Sequence, residues 1–158
     1  MLHKTAGFAV AALLAGGGVA HAASGSLTDP KGDFPDIVKL SYTNGPSKVT
    51  MKLTYASAHP QNESFYLKWG TAGKRYQVFN SPSASIQELR YYSGTNASAK
   101  KITCSGLKVT EPSAISTKVA IPRSCLKKAA DKLRFQGIAT EGLSLSDETK
   151  VSKAVARG

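Results

Sequence analysis

Asp29, Asp33 and Asp36 are three of the ten acidic residues of this chain, and they fall within eight positions of an otherwise basic sequence. The stretch reads Asp29-Pro30-Lys31-Gly32-Asp33-Phe34-Pro35-Asp36-Ile37. Carboxylates on a loop stiffened by proline and turned at glycine are ligands of the kind calcium takes, in sets of roughly six to eight oxygens completed by carbonyls and water. The spacing is not that of an EF-hand loop. The competing role is structural: an aspartate before proline favours a turn, and Asp36 stands where a first strand would begin. The stretch is a candidate calcium site whose alternative is a turn leading into a strand.

A second chemistry is suggested by aromatic and basic residues. Tyr66 and Lys68 alternate with Phe65, Leu67 and Trp69, so they face away from whatever those three bury. Tyr91 and Tyr92 are adjacent, so one of them must point outward from a strand. A flat ring beside hydrogen-bonding groups is what a sugar site needs, which makes Tyr66, Lys68, Tyr91 and Tyr92 candidate ligand contacts. The competing role of the rings is to fill a core. Lys48, Lys52, Lys68, Lys118, Lys132 and Arg134 also alternate outward and would form a positive face if their strands were neighbours. Nucleic-acid modules join such a face to stacking aromatics, but the export signal described below argues against that partner.

Catalytic patterns are scarce. Beyond the leader the only histidine is His59, in a His-Pro loop read as surface. No serine has a GxSxG elbow, and there is no HExxH. Gly70-Thr71-Ala72-Gly73-Lys74 is too short for a phosphate-binding loop. A glycosidase needs two carboxylates on one cleft; Glu63, Glu88, Glu111, Glu141 and Asp147 are present, but the sequence pairs none of them. The expectation is a protein that is not an enzyme.

The elements that position these residues follow from the rest of the chain. Met1-Leu2-His3-Lys4, the apolar run Phe8 to Leu14, a triple glycine and Ala20-His21-Ala22 read as an export signal over residues 1–22, cleaved after Ala22. Residues 23–158 read as one domain, secreted, with no further long apolar run. Of the 21 Lys and Arg only Lys4 lies in the leader, leaving 20 cations against 10 anions. A basic exported protein points to anionic polymers as partners. Cys104 and Cys125, the only two cysteines, are expected to form a disulfide.

Residues 23–35 read as a leader loop. Val38, Leu40 and Tyr42, and then Val49, Met51, Leu53 and Tyr55, alternate with polar residues about an Asn44-Gly45-Pro46-Ser47 turn, predicting a hairpin with one buried face. Further period-two runs begin near Phe65, Lys74, Ile86, Ala99 and Ile115, and Leu133, Phe135 and Gly137 close the series. Pro122 to Ala130 reads as one or two helical turns, Gly142 to Ser146 as loop, and Asp147 to Ala156 as a frayed helix or extended tail. Eight or nine short strands with turn signals between them indicate an antiparallel β-sandwich with one short helical turn near Cys125.

Asp29-Pro30-Lys31-Gly32-Asp33 with Asp36-Ile37, the Ile121-Pro122-Arg123-Ser124-Cys125-Leu126 segment with Cys104, and the tail from Asp147 through Val155-Ala156-Arg157-Gly158 resemble a group of small secreted actinobacterial proteins of unknown function. The resemblance implies a jelly-roll-like sandwich, similar in outline to family 9 carbohydrate-binding modules and to related sugar- or haem-binding sandwiches. It implies calcium near the chain start at Asp29, Asp33 and Asp36, with Asp147 as a late contributor. Haem is not implied, because of its axial ligand types only Met51 and His59 remain and Met51 lies on the core face. The chain is more basic than that group. The functional expectation is a secreted, non-catalytic protein that binds an extracellular carbohydrate or an anionic cell-envelope polymer. The alternatives are a structural or protein-interaction domain with no small ligand, and a polysaccharide hydrolase.

Overall fold

A computed structural model describes residues 22–30, 32, 34–142 and 145–158. Residues 1–21, which carry most of the expected export signal, and Asp33 lie outside the described residues. The described chain forms eleven strands: β1 (Ala23–Thr28), β2 (Ile37–Asn44), β3 (Lys48–Tyr55), β4 (Asn62–Trp69), β5 (Lys74–Ser81), β6 (Ile86–Tyr92), β7 (Lys100–Ile102), β8 (Lys108–Ser113), β9 (Ser116–Pro122), β10 (Arg134–Glu141) and β11 (Leu145–Glu148). Two single 3-10 turns, Pro82–Ala84 and Arg123–Cys125, are the helical elements among the described residues. No helix among them is long and apolar enough to cross a membrane.

The strands make two antiparallel sheets, ordered β1-β2-β3-β9-β8 and β11-β10-β4-β5-β6-β7. The fold is thus the expected all-β sandwich. Most sequential strands pair as hairpins; the chain crosses between sheets from β3 to β4, from β7 to β8 and from β9 to β10. Alternation drives this arrangement. On β3 Val49, Met51, Leu53 and Tyr55 are buried, and on β4 Phe65, Leu67 and Trp69 are, while their neighbours face out. Across the core Tyr42 of one sheet stacks on Phe135 of the other, with ring centroids 4.5 Å apart. Gly137 lets the sheets close: a β-carbon there would run into the Leu53 side chain.

Two strands stand where loops are expected. β1 carries one sizeable apolar side chain, Leu27, and is held by its backbone ladder to β2. β11 is likewise an edge strand, with little burial to mark it in the sequence. The tail past it is extended: Thr149 N–H donates to Gly137 O at 2.9 Å, Ser152 N–H to Phe135 O at 2.9 Å, and Val155 bridges Leu133. A bulge between Ile37 and Lys39 also shifts the phase of β2, so Ile37 and Leu40 are fully buried and Val38 only partly. Ile115, expected in phase with Val119 and Ile121, is exposed just before β9 begins. The Cys104–Cys125 disulfide forms and joins the segment after β7 to the 3-10 turn.

Candidate functional site

The outer face of the six-stranded sheet holds a hollow of about 650 Å3, within the usual range of ligand pockets. Its floor is set by strand register. Arg134 on β10 pairs with Lys68 on β4, Lys68 with Arg75 on β5, and Arg75 with Tyr92 on β6. Three cations thus stand side by side on consecutive strands, an arrangement that costs stability when unanswered. The next row places Gln136, Tyr66, Gln77 and Arg90 in line. The β4–β5 turn forms the wall; Gly73 adopts φ 69° there and packs so tightly on Thr95 that no side chain would fit.

Hydrogen bonds fix the polar groups of this floor. Lys68 Nζ donates to Gln136 Oε1, and Gln136 Nε2 donates to Thr149 O at 3.1 Å and to Glu148 Oε2 at 3.3 Å. Tyr92 Oη donates to Gln77 Oε1 at 2.7 Å, and Gln77 Nε2 to Ser64 Oγ at 2.8 Å. Arg75 stacks on the Tyr92 ring at 4.0 Å and donates to the carbonyls of Gly73 and Gly94 at 3.1 and 3.4 Å. Lys68 Nζ lies 5.5 Å from the centroid of Tyr66. Burial, then the charge of Arg75, holds the Lys68 ammonium below the usual lysine range, with Glu148 opposing. An anion placed in this hollow would meet Lys68, Lys74, Arg75 and Arg134 beside the Tyr66 ring, with Glu148 as the one carboxylate in the lining among the described residues.

Of the four predicted ligand contacts, Tyr66 and Lys68 line this hollow, and Tyr92 lies on the same face next to it, beneath Arg75. Tyr91 does not: its ring is buried in the core, 6.2 Å from Trp69 and 5.3 Å from Tyr76, and Lys128 Nζ lies over its face, 4.7 Å from the centroid. Strand alternation allows only one of the adjacent tyrosines to face out, and that one is Tyr92. Arg75 and Gln136 were not anticipated; knowing the order β10-β4-β5-β6 is what reveals them, and no local pattern encodes that order.

At the chain start, Asp36 is buried and neither carboxylate oxygen has a hydrogen-bond partner among the described residues. Asp29 lies close enough to feel both Asp147 and Asp36; burial and then Asp147 push its carboxyl up. Asp147 Oδ2 accepts the Ile37 N–H at 2.6 Å, so the late aspartate does reach the first hairpin. The orphaned Asp36 oxygens suit a cation. Among the described residues, however, no group of three or more His, Cys, Asp or Glu is arranged to hold a metal.

His59 is not the free surface residue expected. It is half-buried, Nε2 lies 3.1 Å from Ser113 O, and Nδ1 lies 3.2 Å from Thr117 Oγ1 and 3.9 Å from Glu63 Oε1. Glu63 is fully buried; Tyr55 Oη donates to Oε1 and Asn80 Nδ2 to Oε2 at 2.6 Å. Glu63 shares the period-two phase of Phe65, Leu67 and Trp69, so its inward side is legible in the sequence while its partners are not. A smaller hollow of about 300 Å3 at this end is lined by His59, Glu111 and Glu141 among others. Glu88 instead pairs with Arg90 and Lys101.

No protein-family model matches this chain, and no curated protein or solved structure matches it significantly.

Proposed function

We propose that this is an exported, non-catalytic binding protein for an acidic carbohydrate or anionic cell-envelope polymer, held in the hollow on the outer face of the six-stranded sheet. The single observation that carries the reading is the row Arg134–Lys68–Arg75, three cations on neighbouring strands beside the ring of Tyr66. Aligning like charges across strands works against folding. It becomes favourable when a carboxylate or phosphate bridges them. Glu148, which also lines the hollow, offsets part of that cost at Lys68.

Retention on immobilised polygalacturonate against neutral dextran, at moderate salt, tests the reading. Polygalacturonate should hold the protein and dextran should not. Arg134→Gln and Tyr66→Ala should each weaken retention. Equal retention on both matrices, or variants that behave as wild type, would remove this function.

The hydrolase alternative is favoured only by the hollow that brings Glu111, Glu141 and His59 to one rim. Glu141 Oε2 already accepts the Gln61 N–H at 2.8 Å there. Release of reducing ends from polysaccharide, abolished by Glu111→Gln or Glu141→Gln, is the result that reading requires.

A further inference from the structure

The opposite side of the sandwich, the outer face of the five-stranded sheet, carries a second and chemically different surface. Register aligns Ser26, Ser41, Lys52, Lys118 and, on β8, Thr110 in one row across all five strands. The adjacent row is Ser24, Thr43, Thr50, Ala120 and Lys108. Lys39 stands on β2 opposite Thr28 and Thr54. Lys39, Lys108 and Lys118 are exposed and Lys52 half-exposed. Neither row contains a carboxylate, and none of these lysines joins an ion pair among the described residues. Lys52 and Lys118 are direct cross-strand partners, the placement in which like charges repel most. Lys39, Lys52 and Lys118 surround a shallow hollow of about 520 Å3.

We infer that this face binds a linear phosphodiester polymer, at a site separate from the hollow on the six-stranded sheet. Every cation in these rows is a lysine, a compact point charge of the kind that binds phosphate. Hydroxyls fill the positions between the lysines and can donate to phosphate oxygens. No aromatic side chain lies in either row, and Tyr42, which borders the hollow, is buried with its ring stacked on Phe135, so no exposed ring is offered to a sugar or a lipid interface. The face extends across all five strands, as a polymer requires. The inference does not depend on the function proposed for the other sheet.

The test is titration of poly(glycerol phosphate) into the full mature protein and two variants, Lys39→Gln/Lys52→Gln/Lys118→Gln and, as a charge-matched control on exposed lysines that line neither hollow, Lys127→Gln/Lys132→Gln/Lys153→Gln. The first should bind at least roughly tenfold more weakly, the expected sum of three exposed ion pairs; the second should bind as wild type does. Exchanging the same three lysines for arginine keeps the charges and should retain binding. The glutamine variant should also melt no lower than wild type, because it relieves the Lys52–Lys118 repulsion, so weakened binding cannot be ascribed to unfolding. The inference is overturned if the first variant binds like wild type or if only the second loses the polymer. It is equally overturned if anionic phosphatidylglycerol vesicles or polygalacturonate occupy this face in preference to the phosphodiester.

Discussion

Replacing Lys68 by glutamine should make the protein more stable and a poorer binder at the same time. Lys68 lies between Arg134 and Arg75 in the sheet, and its side chain is half-buried. Each directly opposed like-charge pair costs a few tenths to about 1 kcal/mol. Glutamine removes the charge and can still hydrogen-bond Gln136, so Lys68→Gln should gain about 0.5–1 kcal/mol near neutral pH. The same change deletes a charge-assisted hydrogen bond to a bound anion, worth about 1.5 kcal/mol or more and hence roughly a tenfold loss of affinity. pH provides an internal check. The folded state holds the Lys68 proton less firmly than the unfolded chain, through burial and Arg75. The cost of the charge is therefore full below the folded-state pKa and fades as pH rises through it towards about 10.4, the unfolded value. Thermal melts of both proteins from neutral to alkaline pH should show the variant's advantage shrinking, and titration with polygalacturonate should show the affinity loss. A Lys68→Gln protein that is less stable than wild type at neutral pH would refute the reasoning, since it would mean that the cation row supports the fold.

Other predictions concern the scaffold. Glu63→Ala leaves the Tyr55 hydroxyl and the Asn80 amide without their acceptor in the core and opens a cavity; chemical denaturation should report a loss of about 3 kcal/mol or more. Gly137→Ala should cost about 1–3 kcal/mol by driving a methyl group into Leu53, and an unchanged midpoint would mean the sheets can part without penalty. Under the calcium reading of Asp29, Asp33 and Asp36, millimolar calcium raises the melting temperature and Asp36→Asn abolishes the rise. A flat response would leave Asp29 and Asp36 as residues of the turn into β2.

Much of this architecture is legible in the sequence because one buried face imposes a period of two. Val49 to Tyr55 and Phe65 to Trp69 announce their strands and their inward sides, and with them the outward Tyr66 and Lys68. The two cysteines likewise gave their pairing. What stays hidden has a common cause. β1 and β11 are edges held by backbone hydrogen bonds, which leave no mark on side-chain pattern. The bulge at Ile37 changes phase without any glycine to signal it. Arg134, Lys68 and Arg75 lie far apart in the chain, and only strand order makes them neighbours. Glu63 hides for the opposite reason: it stands in a core phase, where a charged residue reads as an interruption unless its donors, Tyr55 and Asn80, are known to converge on it.

The central claim is the place where an acidic polymer sits, and amide chemical-shift mapping with a short oligogalacturonate tests it most directly. The account predicts shifts concentrated on β4, β5 and β10 around Lys68, Arg75 and Arg134, with the Tyr66 and Tyr92 rings responding and the Lys39–Lys52–Lys118 face silent. Shifts confined to the His59 end, or no shifts at all at an oligomer concentration that saturates retention, would contradict it.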